Sequence, residues 1–279
     1  MIIDFHTHIY APHIKNHREE YARRDPLFAQ LYADPGVELA SAENLIAAMD
    51  EQGITASVVL NIGWSHPEIC HESNDYILEA AARYPGRLFG FGMVDFNSPD
   101  TAIKELEQCV KNGLKGIGEV RFSSAQLRAH RELKPIMEYI IEKDLILLIH
   151  TSEPIGHLYP GKGDSTPELL YPFIKHYPKL KLICAHWGGG LPFYALMPEV
   201  KKALGQVYFD SAASSYLYSP RIYTEMAALM GDHRLLFGSD YPLLKPERLL
   251  KEINSLNLPE PTRNRLLYAN AAALLGIME

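Results

Sequence analysis

The chain reads as an α/β protein of the (β/α)8 TIM-barrel type, on three observations. Strand-like apolar runs recur along its 279 residues, each followed by a helical pattern. Several runs are apolar almost throughout rather than alternating, such as Leu145-Ile146-Leu147-Leu148-Ile149 and Ala56-Ser57-Val58-Val59-Leu60. That is how a parallel sheet covered on both faces is written. The length also suits a single barrel, which typically takes about 250 residues. The rival, a doubly wound open sheet, needs a glycine-rich phosphate turn after its first strand, and here that place holds His6-Thr7-His8.

Strands are expected near 2–6, 55–61, 88–94, 115–119, 145–149, 180–185, 206–210 and 234–239. Helices are expected over 41–52, 73–84, 131–143, 166–177, 193–204, 220–230 and 246–256, with a final one near 261–275. The clearest helix starts at Ser98 as N-cap with Pro99 in its first turn, puts Ile103, Leu106 and Val110 on one face, and stops at Gly113. No repeat or linker divides the chain, so residues 1–279 form one domain. The first connection is unusual. Residues 9–37 are rich in charge, Tyr and Pro, too long for an ordinary loop, and leave from the end of the barrel where active sites lie. A lid over the substrate is the expectation.

Composition narrows the function. With 27 basic and 34 acidic residues the net charge is −7, which argues against a nucleic-acid partner. Cys70, Cys109 and Cys184 form no Cys-x-x-Cys pair, so neither a disulfide framework nor a structural zinc motif is expected. No apolar run approaches the roughly 18 residues of a membrane span. Ile2 already belongs to a strand, which leaves no room for a signal peptide. The expected home is the cytoplasm and the expected partner a small-molecule substrate, with a homo-oligomer left open.

The ends of the strands carry the chemistry. On a strand His6 and His8 point to the same side, a ready pair of imidazoles for Zn²⁺ or a similar ion. Reading the C-terminal end of each later strand adds Asn61, Asp95, Glu119, His150, His186, Asp210 and Asp240. Imidazoles with carboxylates suit Zn²⁺, Mn²⁺ or Fe²⁺ better than Mg²⁺ or Ca²⁺. Glu119, in Gly118-Glu119-Val120-Arg121, reads equally as a ligand or as the ion-pair partner of Arg121.

His6-Thr7-His8, His150, His186-Trp187-Gly188-Gly189, Gly238-Ser239-Asp240-Tyr241-Pro242 and the terminal Asn270-Ala271-Ala272-Ala273-Leu274-Leu275-Gly276 together resemble the amidohydrolase-related family. That branch of the amidohydrolase superfamily includes aminocarboxymuconate-semialdehyde decarboxylase and aromatic-acid decarboxylases beside metal-dependent hydrolases. The resemblance runs from the first strand to the last helix. It implies a (β/α)8 barrel in which His6, His8, His150 and Asp240 hold one divalent metal and His186 activates bound water or polarises the substrate. Glu119 resembles instead the glutamate of TatD-like deoxyribonucleases, so one or two ions are both open.

From these ligands the first expectation is hydrolysis of an ester, lactone or amide. A metal-bound water with its pKa near 7 would attack, Asp240 would carry the proton, and His186 would face the developing oxyanion. Arg121, with Arg18, Arg23 and Arg24 of the lid, would hold a substrate carboxylate, and Trp187 and Tyr241 would contact substrate. The alternative at the same site is non-oxidative decarboxylation of an unsaturated or aromatic acid.

Overall fold

The computed structural model describes residues 1–277. Eight strands run in parallel in chain order: β1 (Ile3–His8), β2 (Ala56–Leu60), β3 (Leu88–Gly92), β4 (Gly116–Val120), β5 (Ile146–Ile149), β6 (Lys181–Cys184), β7 (Tyr208–Asp210) and β8 (Leu235–Leu236). The seam is closed by backbone hydrogen bonds that run past the short β8. The amide of Phe5 donates to the Phe237 carbonyl at 2.7 Å, Asp240 to His6 at 2.9 Å, and His8 to Tyr241 at 2.7 Å. The result is the expected (β/α)8 barrel.

The near-continuous apolar runs follow from burial on two sides. In β5, Ile146 and Leu148 join Ile3, Phe5, Val58, Leu60 and Ile183 in one cluster inside the barrel. Leu147 and Ile149 join the larger cluster under the helices. Side chains alternate, and both faces are dry.

Two expected helices are interrupted. The segment 193–204 divides into a 3-10 turn (Leu191–Leu196) and a helix (Pro198–Ala203), because Pro198 has no N–H to continue the first and is suited to open the second. The last helix contains a π-helical stretch, Arg265–Ala269, before Asn270–Leu275. Asn270 clamps this helix to the barrel by donating to the carbonyls of Asp232 and Leu235, at 2.7 and 2.8 Å.

Residues 9–37 form three short helices: Pro12–Asn16, Arg18–Arg24 and Pro26–Tyr32. They are rooted in the core by Ile14, Tyr21 and Phe28, and the Phe28 ring stacks on Trp64 at 5.2 Å. Buried Asp25 caps the third helix through Phe28 N at 2.8 Å and accepts from Ser65 N and Oγ at 2.8 and 2.6 Å. All three cysteines are buried and unpaired. Among the described residues no helix is long and apolar enough to cross a membrane.

Candidate metal centre

Six strand-end side chains, every one buried, gather at the C-terminal mouth of the barrel: His6, His8, Glu119, His150, His186 and Asp240. They form two trios. In the first, His8 Nε2 lies 3.2 Å from His6 Nε2 and 3.3 Å from Asp240 Oδ1, and His6 Nε2 lies 3.7 Å from that oxygen. In the second, Glu119 Oε1 lies 2.7 Å from His150 Nδ1 and 3.0 Å from His186 Nε2, with the two nitrogens 3.1 Å apart. Glu119 stands between them, its Oε1 3.9 Å from His6 Nε2 and its Oε2 3.9 Å from His8 Nε2.

The rings are held from behind. His6 Nδ1 meets Asp210 Oδ2 at 2.9 Å, and His186 Nδ1 meets the Ala212 carbonyl at 3.0 Å. Ionised carboxylate and carbonyl oxygens only accept, so each Nδ1 carries a proton, and each ring directs Nε2 to the centre, where it can offer a lone pair to a cation once any second proton is displaced. The other oxygen of Asp210 accepts from the amides of His186 and Ala212, both at 3.0 Å. One buried carboxylate thereby sets the ring of His6 and the backbone of His186. In the sequence Asp210 shows only as the end of a strand, with nothing to mark this role.

Local backbone serves the same end. His186, Trp187 and Asp240 all have left-handed φ, 53°, 57° and 69°, which non-glycine residues seldom adopt and which clusters at functional sites. Gly189 shares that conformation for a second reason: a Cβ there would sit 2.3 Å from the Ser152 carbonyl oxygen.

Burial opposes a charged ring at His6, but the touching Asp210, with Asp240 and Glu119 nearby, outweighs it and holds the pKa up at about 10. Burial, then Arg121, pushes His150 down to about 3, so that ring is neutral. Glu119 and Asp240 are buried too, yet Arg121 and His150 for the first, and His8 and His6 for the second, hold both well below the usual carboxylate range. The centre is therefore two ionised carboxylates facing imidazole nitrogens, an arrangement held together by protons or by a cation between them. Its donors fit a divalent transition metal.

A cavity of about 460 Å³ opens above these residues, a size for a small ligand. Leu31, Tyr32, Ile62, Tyr159, Leu217 and Leu243 help to wall it. Arg121 lines it as well; its guanidinium donates to Glu119 Oε2 at 3.4 Å and to the Gly161 carbonyl. Glu119 thus both pairs with Arg121 and faces the histidines.

Other expected contacts lie elsewhere. Trp187 is fully buried beside the site, its Nε1 donating to Ser214 Oγ at 2.8 Å and its ring packed on Tyr223, so it reaches no substrate. Tyr241 packs outward among Ile9, Ala40 and Leu45 and does not line the cavity. Arg18 is spent on the carbonyls of Tyr32 and Val37, at 3.2 and 2.8 Å; Arg23 is exposed, and Arg24 faces Glu20 and Glu68. Asn61, just past β2, and Asp95, in the turn beyond β3, bond to Trp64 and Asn97 and stand apart from the donors.

Residues 3–277 match the amidohydrolase family. The chain belongs to that family. It is 22% identical to 2-amino-3-carboxymuconate-6-semialdehyde decarboxylase of Dictyostelium discoideum, over 99% of this chain and 91% of that one. It is 26% identical to 6-methylsalicylic acid decarboxylase of Penicillium expansum, over 71% and 70%. Among solved structures it superposes on 5-carboxyvanillate decarboxylase of Novosphingobium aromaticivorans, complexed with manganese and 4-hydroxy-3-methoxy-5-nitrobenzoic acid. The TM-score is 0.80 at 20% identity, over 99% of this chain and 96% of that one.

These relatives correct the first functional expectation. The ligand set led to an expectation of hydrolysis of an ester, lactone or amide, whereas the similar proteins are decarboxylases. A strand-end ligand set specifies that a cation is held, not which bond breaks. The donor set could hold a divalent ion, and nothing in it selects zinc over manganese or iron.

Proposed function

We propose that this protein is a divalent-metal-dependent, non-oxidative decarboxylase of a small aromatic or unsaturated carboxylic acid. Whole-length similarity to a decarboxylase carries the reading, and the cavity supports it: apolar and aromatic walls suit a flat ring, and Arg121 suits its anionic group. The ion rests on His6, His8 and Asp240, with Mn²⁺, Zn²⁺ and Fe²⁺ all compatible with imidazole and carboxylate donors. When bound it supplies positive charge that fixes the substrate's oxygen atoms and steadies the charge that builds as CO₂ leaves.

The remaining work belongs to side chains. Arg121 orients the substrate from the cavity wall, its own position fixed by Glu119 and the Gly161 carbonyl. His186 lines the cavity and faces the developing charge. The bond from ring carbon to carboxyl carbon breaks, its electron pair stays on the ring carbon, and a proton fills that place. Asp240, on the cavity floor with Oδ1 against His8 Nε2, is positioned to carry this proton. Leu31, Tyr32 and Val37 bring the 9–37 segment into the cavity wall, so this segment covers the substrate and sets its class. The buried, unpaired thiols suit the reducing cytoplasm.

The test is a panel of hydroxybenzoic and unsaturated dicarboxylic acids, with ester and lactone controls, incubated with Mn²⁺-loaded protein. Loss of an acid with release of CO₂, abolished by chelator and by Asp240→Ala, is expected. Turnover of esters or lactones with no CO₂ from any acid would overturn the proposal.

A further inference from the structure

Three residues of the 9–37 segment line the cavity, Leu31, Tyr32 and Val37, and of these only Tyr32 carries a polar group. We propose that Tyr32 is the specificity-determining residue of this segment: its phenol donates a hydrogen bond to a hydroxyl or carbonyl oxygen that the substrate carries besides its reacting carboxylate, and Tyr10 positions it from behind. The inference rests on the decarboxylase reading and narrows the substrates to acids that bear such an oxygen.

The first observation is that Tyr32 is held through both backbone and ring. It closes the helix Pro26–Tyr32, whose last carbonyls have no partner within the helix. Arg18 meets this need, its guanidinium donating to the carbonyls of Tyr32, Asp34 and Val37 at 3.2, 2.5 and 2.8 Å. The ring packs against Phe28 and Tyr10, with both centroids 5.2 Å away. A phenol fixed in this way loses little freedom when it takes up a ligand.

Second, the surroundings leave this phenol one task. Burial, with the charges of Asp240 and Glu119, outweighs the opposing influence of Tyr10 and Arg121 and pushes it above the ordinary phenol value, so it is a neutral donor at any working pH. Asp240, Glu119 and Arg121 line the same cavity. A substrate carboxylate finds its partners in Arg121 and the ion, both positively charged. The neutral donor beside them is left for an uncharged oxygen. Leu31, Ile62, Leu217 and Leu243, on the same walls, have no polar atom in their side chains to offer it.

Third, Tyr10 is buried, lies edge-on to Tyr32, and its hydroxyl completes no hydrogen bond among the described residues. A buried hydroxyl in that state is destabilising until it finds an acceptor, and Tyr32 Oη is the one within its reach. When Tyr32 gives its proton to a substrate oxygen, Tyr10 donates to Tyr32. Each bond of such a chain polarises the next, so the outer one is strengthened.

The experiment measures binding of benzoate and of 2-, 3- and 4-hydroxybenzoate to Mn²⁺-loaded protein by calorimetry, with CO₂ release followed from the same acids. The wild type should bind one hydroxybenzoate at least about tenfold more tightly than benzoate. Tyr32→Phe, which removes one oxygen atom and keeps the ring, should reduce that preference to about threefold or less. Tyr10→Phe should lower it by an intermediate factor of about three, since the chain is shortened and not cut. Elemental analysis should give the same Mn²⁺ content in all three proteins. A merely structural Tyr32 would weaken benzoate and hydroxybenzoates alike, and that result overturns the proposal. So does a wild type without the preference, or a preference that survives in Tyr32→Phe. An unchanged preference in Tyr10→Phe overturns the part given to Tyr10. A preference that depends on Tyr32, with no CO₂ from any acid, would uphold the binding role and defeat the decarboxylase reading. CO₂ release with a hydroxyl preference indifferent to Tyr32→Phe would do the reverse.

Discussion

Asp210→Asn tests the construction of the centre without touching a proposed ligand. Asn can still accept from the amides of His186 and Ala212 with its oxygen, now replacing the oxygen that holds both at 3.0 Å. Its NH₂ then faces His6 Nδ1, which lies 2.9 Å from the present Oδ2. That nitrogen must become an acceptor, so the ring proton moves to Nε2 and His6 can no longer offer a lone pair to the ion. The opposite amide orientation would set NH₂ against two N–H groups and costs more. Loss of an orienting carboxylate behind a ligating histidine costs about 10–100-fold in metal affinity, or roughly 1.4–2.8 kcal/mol. Fold stability should fall by less, about 1–2 kcal/mol, since the hydrogen bonds persist without charge assistance. The assay is Mn²⁺ competition against a chromogenic chelator, with circular dichroism confirming the fold. Unchanged affinity in a folded Asp210→Asn protein would refute the role given to Asp210 and the tautomer reasoning with it.

Three further outcomes follow from the same geometry. Metal affinity should rise with pH through the neutral range, because the ion must displace the proton that Asp210, with Asp240 and Glu119, keeps on His6 against the cost of burial, its pKa standing at about 10. By the same sign, that group stabilises the metal-free fold fully below its unfolded value near 6.5, a contribution lost as pH rises toward 10, and thermal melts of chelated protein check it. Arg121→Ala should raise KM for an acid substrate at least tenfold while the ion count stays unchanged, measured by steady-state kinetics and elemental analysis. Trp187→Phe should lower stability by about 1–3 kcal/mol through the stranded Ser214 hydroxyl and leave KM unaltered, since the indole contacts core and not substrate.

Much of the site was legible because a parallel barrel brings the C-terminal ends of its strands to one mouth. His6, His8, Glu119, His150, His186 and Asp240 each end or follow an apolar run, and the parallel barrel brings those ends to one mouth. What stayed hidden depended on geometry beyond the strand. Trp187 and Tyr241 neighbour ligands in sequence, but the left-handed turns at His186–Gly190 and Asp240 send their side chains away from the cavity. Asp95 reads as a strand end in the sequence, but β3 stops at Gly92 and the Asp95 carboxylate closes a turn onto Asn97. The 9–37 segment lacks one long helical stripe because three short helices share the work, each rooted by one large residue. The reaction itself was the least legible, since hydrolysis and decarboxylation draw on the same ligands.

The central claim is that this barrel removes a carboxyl group as CO₂ and returns a proton to the same carbon. It is tested most directly with a turned-over acid carrying ¹³C in its carboxyl group, incubated with Mn²⁺-loaded protein in D₂O and followed by NMR. The account predicts that the label appears as bicarbonate and CO₂, with one deuterium on the carbon that bore it. Label retained in a carboxylic acid product, or released without deuterium at that carbon, would contradict it.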